Sequence, residues 1–441
     1  MSGDATDIAA VRSTRTPHGR VRVPRRNFRP RYDSTTTLGN MTSVLLLENI
    51  HDSASRHFAD ANVDIERRKG ALAGAELRRA LQQHQLIGIR SATHLLRDEI
   101  DAARHLLAIG CFCIGTSQVD LPAAAHHGIP VFNAPFSNTR SVAELVIAEA
   151  ILLLRRVPEK SVLAHAGEWA KGAGGSFEAR GKTIAIVGYG NIGAQVGVLA
   201  EALGMRVVYY DVQAKLSLGS AQPARSLGEA IALADVVTLH VPAHASTHNM
   251  IDASVLAQFK SNAILINASR GTVVDIDALR DALVQKRLSG AAIDVFPREP
   301  KTNADRFESV LQGLPNVILT PHIGGSTQEA QENIGEEVSS KLVAFLTRGD
   351  TAGAVNFPQV SPGECTSAAR LLNVHGNTPG VLAVLNTLLA QDGANIVAQH
   401  LQTRGDIGYV VTDLDRVPSD AFLDTLSGNR AFTRSRLLRS A

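Results

Sequence analysis

Four polar side chains follow three neighbouring apolar segments in the second half of the chain, and their types suit acid–base chemistry. Arg270 follows the first segment, Asp294 and Glu299 follow the second, and His322 follows the third. Each segment has the composition of a buried β-strand, and ligands of doubly wound sheets bind beyond the carboxyl ends of the strands. We therefore expect the four side chains to face one crevice.

The reaction that best suits this set is the oxidation of a 2-hydroxy acid. Hydride can leave C2 only as a base takes the hydroxyl proton, and His322 suits that role because histidine titrates near neutral pH. Glu299 can bond the other ring nitrogen, and Arg270 offers a planar fork that matches a carboxylate. Taken singly, each side chain also has an ordinary interpretation as a loop or surface residue. Their occurrence together at successive strand ends favours a site.

A dinucleotide-binding motif lies upstream of these residues. The pattern Gly188-x-Gly190-x-x-Gly193 follows an apolar strand and opens an apolar helix, and Asp211 ends the next strand. This context distinguishes a phosphate-binding turn from a glycine-rich structural turn, which is the alternative. The helix N-terminus would face the phosphates, and Asp211 would bond the ribose hydroxyls and repel a 2′-phosphate. The motif predicts NAD rather than NADP, with Asp294 on the nicotinamide side.

The elements that must position these groups alternate between strand and helix patterns. Such alternation, from residue 44 to about 137 and again from 183 to 319, indicates two parallel sheets covered by helices. A long helix is predicted over 138–156, with Asn138 as its N-cap. A linker rich in proline and glycine follows at 358–363. Beyond it, a βαββαβ-like pattern predicts a small α+β domain.

Charge and composition exclude several classes of protein. Residues 1–40 carry eight Arg and three Asp, which gives this segment a net charge of +5. The whole chain has a net charge of +2, so the remaining residues sum to −3. We expect this segment to be disordered, with a transit peptide or translation from Met41 as alternatives. The near-neutral remainder argues against nucleic acid, and no apolar run is long enough to span a membrane. The three cysteines suit a reducing cytoplasm, and Cys111 and Cys113 are expected to be buried thiols rather than metal ligands.

The sequence resembles the D-2-hydroxyacid dehydrogenase family. The similarity covers residues 43–441 and is clearest at 110–116, 132–144, 175–181 and 320–335. The resemblance implies that Arg270, Glu299 and His322 are catalytic and that no metal takes part. It implies that Arg90, Ser91, Asn138 and Lys171 bind substrate, although Ala92 stands where some relatives have a second arginine. The residues expected to bind the cofactor are Gly188, Tyr189, Gly190, Asn191, Ile192, Gly193, Asp211, His240, Val241, Pro242, Ala268, Ser269, Arg270, Asp294, His322 and Gly324.

The resemblance also implies a fold and a reaction. It predicts a flavodoxin-like substrate domain at 43–137 and 325–357, a Rossmann NAD domain at 138–324 and an ACT domain at 367–441. The most similar branch oxidises 3-phosphoglycerate to 3-phosphohydroxypyruvate with NAD in cytoplasmic serine biosynthesis, as a homotetramer. Glycerate or lactate oxidation and a nucleotide-sensing corepressor are the alternatives, and whether 2-oxoglutarate is also reduced stays open.

The C-terminal segment is expected to sense a small molecule. It is similar to ACT domains, which bind amino acids between paired copies, and the resemblance implies that L-serine is a feedback inhibitor. His375, Asn377 and Asn395 are the expected allosteric residues, because amide groups can bond both a carboxylate and an ammonium. Gly376 and Thr378 differ from the charged residues of similar proteins. The alternative is that Asn377 only caps the helix predicted from Pro379.

Overall fold

The computed structural model describes residues 42–300 and 305–439, and the segment 1–40 that was predicted to be disordered lies outside the described residues. Three sheets organise the described chain. Two are entirely parallel and one is antiparallel, which confirms the predicted fold class of two parallel α/β units and a small α+β unit.

The first sheet has the strand order β2-β1-β3-β4-β5, and its central strands are buried on both faces. A helix from much later in the chain, α11, packs against α1 and β4, so this unit is built from two separate segments. An added Cβ at Gly110 on β4 would lie 2.8 Å from Leu342 of α11, which shows how closely the helix approaches the sheet. The elements are β1 (Ser43–Leu46), α1 (Ser53–Asp60), β2 (Asp64–Arg67), α2 (Gly74–Leu81), β3 (Leu86–Ile89), α3 (Arg97–Ala102), β4 (Ala108–Cys111), α4 (Leu121–His126), β5 (Val131–Asn133) and α11 (Gln328–Arg348).

The second sheet has the order β12-β11-β10-β9-β6-β7-β8, so the direction of winding changes between β6 and β9. Such a switch point opens a crevice at the carboxyl ends of the strands, where doubly wound proteins bind ligands. The elements are α5 (Thr139–Leu154), α6 (Val157–His165), β6 (Thr183–Val187), α7 (Asn191–Ala202), β7 (Arg206–Tyr210), β8 (Gln222–Pro223), α8 (Leu227–Leu233), β9 (Val236–Leu239), α9 (Ala253–Leu256), β10 (Ile264–Asn267), a 3₁₀ turn (Gly271–Val273), α10 (Ile276–Val284), β11 (Gly290–Ile293) and β12 (Val317–Leu319).

The predicted helix 138–156 corresponds to α5, which ends at Leu154, and a second helix, α6, begins just beyond the predicted end. Asn138 occupies the N-cap position of α5, but its side chain makes no capping hydrogen bond. Arg156 adopts a left-handed conformation, with φ of 54°, and Val157 then starts α6. No residue of α6 is buried, so no apolar periodicity marks this helix in the sequence.

The C-terminal sheet has the order β14-β15-β13-β16 and confirms the βαββαβ pattern. One face packs on its two helices and the other on the first unit, where the Tyr409 hydroxyl donates to the Gly349 carbonyl at 2.7 Å. Arg370 is fully buried and pairs with Asp413 at 2.6 Å. The elements are β13 (Ala369–Gly376), α12 (Val381–Gln391), β14 (Ile396–Arg404), β15 (Ile407–Leu414), α13 (Asp420–Ser427) and β16 (Phe432–Arg439).

No helix within residues 42–300 and 305–439 is long and apolar enough to cross a membrane. The same residues hold no group of three or more His, Cys, Asp or Glu side chains that could bind a metal ion. Cys111 is fully buried, and burial raises the pKa of its thiol, while Cys113 and Cys365 are half-buried.

Candidate active site

A cavity of about 480 Å³ lies between the first and second sheets and collects most of the predicted site. All three predicted catalytic residues line it, together with three of the four predicted substrate residues and Asp294. The fold brings these catalytic and substrate residues together although they are far apart in sequence, because each follows the carboxyl end of a parallel strand or caps α5. The lining residues among the predicted set are Arg90, Ser91, Asn138, Ile192, Ala268, Ser269, Arg270, Asp294, Glu299, His322 and Gly324.

His322 and Glu299 form the predicted acid–base pair. The Nδ1 atom of His322 lies 2.9 Å from Oε2 of Glu299, and the Phe296 N–H donates to Oε1 of the same carboxylate at 3.2 Å. The Glu299 hydrogen bond raises the pKa of His322 against the opposing effect of burial. Burial alone would raise the pKa of Glu299, but the hydrogen bonds from His322 and Phe296 lower it. The pair therefore stabilises a proton on the ring and leaves Nε2 available for a substrate.

Asp294 fixes the loop that carries His322. Its carboxylate accepts from the Thr320 hydroxyl at 2.6 Å and from the N–H groups of Ile323 and Gly324 at 2.8 Å each. His322 itself has a φ of 55°, a conformation that non-glycine residues adopt only when their surroundings hold it. Sequence reasoning did not anticipate this positioning role, and the expected contact of Asp294 with nicotinamide stays a prediction.

A buried carboxyl lies behind Asp294. Glu149 of α5 is 2% exposed, and neither of its oxygens has a hydrogen-bond partner within the described chain. Burial, with the nearby charge of Asp294, raises the pKa of Glu149 to about 8. Glu149 is therefore neutral at pH 7.

The backbone around Arg270 is held from both sides. The Asn267 amide donates to the Arg270 carbonyl at 3.0 Å, and its carbonyl oxygen accepts from the Ser269 N–H at 3.1 Å. Gly271 has no room for a side chain, because an added Cβ would overlap the Phe296 carbonyl. The strand end bearing Arg270 thus packs directly on the chain that leads to Glu299.

The glycine motif forms the tight turn that a dinucleotide requires. Gly188 has a φ of 93°, and an added Cβ there would overlap the His240 carbonyl. An added Cβ at Gly193 would overlap the Gly188 carbonyl. At Gly190, the N-cap of α7, an added Cβ would meet no atom within 4 Å. This open space at a helix N-terminus fits a pyrophosphate.

The carboxylate that is predicted to bind the ribose is held in place. Asp211 accepts from the Tyr189 N–H at 2.9 Å through one oxygen and from the Gln213 N–H at 2.9 Å through the other. His240, followed by Val241 and Pro242, lies beside the Gly188 turn, and burial lowers its pKa to about 4. Its ring is therefore neutral at pH 7 and adds no positive charge that would attract a 2′-phosphate.

Lys171 is the one predicted substrate residue that lies outside the cavity lining. It is exposed on the loop after α6, two residues beyond Trp169, which is 87% exposed. Within one copy of the chain, the structure does not bring Lys171 to the other substrate residues.

The predicted allosteric residues lie at opposite ends of α12. His375 is 4% exposed, with Nδ1 2.8 Å from the Gly376 carbonyl, and its buried Nε2 has no partner among the described residues. Asn377 donates to the Gly405 carbonyl at 3.0 Å, so it fastens the β14–β15 turn. The alternative that Asn377 caps the helix is wrong, since Gly380 holds the N-cap position. Asn395 lies beyond the far end of the 11-residue helix, about 16 Å away.

Comparison with known proteins assigns the family. The model of the D-isomer specific 2-hydroxyacid dehydrogenase NAD binding domain matches residues 147–324, which include the glycine turn and the whole catalytic set. D-3-phosphoglycerate dehydrogenase of Escherichia coli K12 is 54% identical over 89% of this chain and 97% of that protein. The chain belongs to the D-isomer specific 2-hydroxyacid dehydrogenase family. It is an NAD-dependent oxidoreductase, as the domain model and the fit of its glycine turn require.

Further similar proteins support the assignment. D-3-phosphoglycerate dehydrogenase of Dictyostelium discoideum is 43% identical over 92% of this chain and all of that protein. The crystal structure of the TT0316 protein of Thermus thermophilus covers 71% of this chain with a TM-score of 0.64 and 31% identity. The crystal structure of D-lactate dehydrogenase with NAD⁺ from Lactobacillus jensenii also covers 71%, with a TM-score of 0.62 and 25% identity.

Proposed function

We propose that this protein is a D-3-phosphoglycerate dehydrogenase, which oxidises 3-phosphoglycerate to 3-phosphohydroxypyruvate with NAD. The observation that carries the proposal is the convergence of Arg270, Glu299 and His322 with Arg90 and Ser91 on one cavity. Relatives with this name are 43% to 54% identical over nearly their whole length. The reaction supplies serine biosynthesis, a role that we assign to the cytoplasm by analogy with these relatives.

The catalytic step follows from the protonation chemistry of the pair. His322 takes the C2 hydroxyl proton on Nε2, and Glu299 stabilises the resulting imidazolium through Nδ1 at 2.9 Å. Arg270 holds the substrate carboxylate and polarises the developing carbonyl oxygen. NAD, when bound, accepts the hydride that leaves C2. In the reverse direction the imidazolium returns the proton to the oxygen.

Arg90 is the group within this chain that best suits the substrate phosphate. It lines the cavity, and its guanidinium has no acceptor among residues 42–300 and 305–439. Arg forms paired hydrogen bonds to phosphate oxygens, which lactate and glycerate lack. Lys171 can take part only if a second copy of the chain supplies it or its loop moves.

The proposed substrate is tested by NADH formation with 3-phosphoglycerate, D-glycerate and D-lactate, each measured with NAD and with NADP. We expect the highest kcat/KM for 3-phosphoglycerate with NAD. Equal or higher kcat/KM for either unphosphorylated acid would contradict the proposal. Activity with none of them would favour the nucleotide-sensing alternative.

The proposed domains keep the predicted bounds, with a substrate domain at 43–137 and 325–357, an NAD domain at 138–324 and an ACT domain at 367–441.

A homotetramer is supported by the apolar surface of α6 and the loop that follows. Val162 is 69% exposed and Trp169 is 87% exposed. We expect Trp169→Glu to reduce the molar mass measured by analytical ultracentrifugation. Leu216 is also exposed, at 91%, and Leu216→Glu should leave that mass unchanged. A wild-type monomer would refute the proposed assembly.

L-serine is the proposed feedback ligand. Because Asn377 and Asn395 are separated by the length of α12, one serine can meet both only where two copies of the domain pair. Serine should lower turnover because it binds the slower conformation better than the active one. Asn377→Ala should relieve this inhibition and preserve turnover without serine. The absence of both serine binding in calorimetry and inhibition at millimolar serine would contradict the role.

A further inference from the structure

The turn after β1 has an unusual backbone conformation that places a carboxylate beside the loop of residues 90–93, which carries the predicted substrate residues Arg90 and Ser91. Glu48 and Asn49 have φ values of 60° and 50°, the left-handed region that non-glycine residues seldom occupy. Such conformations persist only where surrounding contacts hold them, and they often mark functional positions. The contacts of the Glu48 side chain supply a reason for this conformation.

The Glu48 carboxylate accepts three backbone N–H groups from one short loop. The N–H groups of Arg90 and Thr93 donate to Oε1 at 3.1 and 2.9 Å, and that of Ala92 donates to Oε2 at 2.9 Å. Within the described chain, the Ser91 N–H is the one amide of this loop without an acceptor. The loop therefore turns three donors inward and leaves Ser91 facing the cavity that it lines.

Gln118 holds the same loop from the other side. It is 4% exposed, and its amide donates to the Arg90 carbonyl at 2.6 Å. The Arg90 peptide is thus held through its N–H by Glu48 and through its carbonyl by Gln118. Thr93 is fully buried and anchors the far end of the loop, whereas Ser91 and Ala92 are exposed and depend on these bonds for their position.

This arrangement matters for an anionic substrate. A carboxylate beside a phosphate site repels the ligand, so a negative charge here weakens binding unless it has another effect. Hydrogen bonds from N–H groups to a carboxylate are stronger than neutral ones, and an ordered loop loses less entropy when a ligand binds. The two effects have opposite signs, and a substitution that removes the charge and retains the shape distinguishes them.

We propose that Glu48 is a positioning residue, which orders the 90–93 loop so that Arg90 and the Ser91 N–H meet the substrate phosphate. The proposal rests on the proposed function for the identity of that substrate. Glu48 touches no reacting atom and acts only through the loop. Its loss should therefore raise KM for the phosphorylated substrate more than it lowers kcat.

The test compares Glu48→Ala and Glu48→Gln with Glu76→Gln in the full-length enzyme. Glu76 is a matched control because it is an exposed carboxylate of the same unit whose one ion-pair partner among the described residues is Arg68. Glu48→Ala should raise KM for 3-phosphoglycerate about tenfold to 100-fold, the scale of a misplacement of about 1 Å. Glu48→Gln can keep the two bonds at Oε1 but not the third, so it should raise KM less. Kd for NADH should stay within about twofold in all three variants, since the glycine turn is on another sheet.

A second readout does not depend on the substrate. Amide hydrogen exchange in residues 86–95 should be faster in Glu48→Ala than in wild type and unchanged in Glu76→Gln, because the three donors lose their acceptor. A KM that falls in Glu48→Gln would mean that charge repulsion dominates, and unchanged exchange would mean that the loop does not need the carboxylate. Either result overturns the proposal. A wild type inactive with 3-phosphoglycerate would refute the proposed function, and the exchange measurement would still decide the role of Glu48.

Discussion

The contact between Gly271 and the chain after β11 predicts a large effect from a single methyl group. An alanine Cβ at position 271 would overlap the Phe296 carbonyl and lie 2.5 Å from the Pro297 nitrogen. Ordinary contacts between such atoms are about 3.5 Å or longer, so the two backbones must separate by at least about 1 Å, and by about 1.5 Å at the Phe296 carbonyl carbon, which would lie 2.0 Å from the Cβ. Since neither partner is a flexible side chain, the shift moves Arg270 relative to Glu299.

The displacement sets the size of the expected effect. A misplacement of about 1 Å can lower the rate of catalysis about 100-fold. Forcing an extra methyl group into a packed region costs about 1–3 kcal/mol, which corresponds to a fall in Tm of roughly 2–4 °C for each kcal/mol in a domain of this size. NADH binding should change less than catalysis, because Gly188 and Gly193 belong to a different strand end.

Steady-state kinetics, thermal unfolding and NADH titration of Gly271→Ala measure these quantities together. Gly174→Ala is the matched control, because its added methyl group meets no atom within 4 Å and its φ is not left-handed. We expect a fall of about 100-fold in kcat/KM for Gly271→Ala and little change for the control. If both variants retain the same activity, the close packing of Gly271 does not set the geometry of the catalytic pair.

Three further predictions concern the cofactor, the acid–base pair and the substrate. Asp211→Ala should weaken the binding of NAD and reduce the preference for NAD over NADP in steady-state titrations. An unchanged preference would show that another group binds the ribose. Glu299→Gln should lower the pKa of His322, since the hydrogen bond to Glu299 raises it. Oxidation requires the neutral ring, so the acid limb of its pH profile should move to lower pH, whereas a limb that stays in place would separate the carboxylate from the base. Arg90→Met should raise KM for 3-phosphoglycerate by more than it raises KM for glycerate, and equal increases would remove the guanidinium from phosphate binding.

The alternation of apolar segments with polar strand ends predicted much of the site. Strands β3 and β10 lie within the two predicted alternating segments and are buried throughout. Such strands can be recognised in the sequence because buried parallel strands are nearly continuous apolar runs. The convergence of Arg270, Glu299 and His322 followed from one rule, that parallel strands end at the same edge of a sheet. Local pattern and topology were sufficient for these features.

Contacts made by single side chains across the fold could not be predicted in this way. Glu48 lies 42 residues before Arg90 and belongs to no motif, so its three hydrogen bonds become visible only in three dimensions. The helix α6 was not predicted from the sequence, and none of its residues is buried. Lys171, which is predicted to bind substrate, does not line the cavity within one copy of the chain. The packing of the C-terminal sheet on the first unit likewise depends on contacts between side chains distant in sequence, which the apolar periodicity does not reveal.

The proposed mechanism depends most directly on His322 as the base that takes the substrate proton. The deciding measurement is the turnover of His322→Ala with 3-phosphoglycerate and NAD, together with NADH titration of the same preparation. We predict a loss of at least about 100-fold in turnover, the scale of general acid–base catalysis, with NADH binding preserved by the glycine turn. Turnover close to that of wild type would contradict the proposed mechanism.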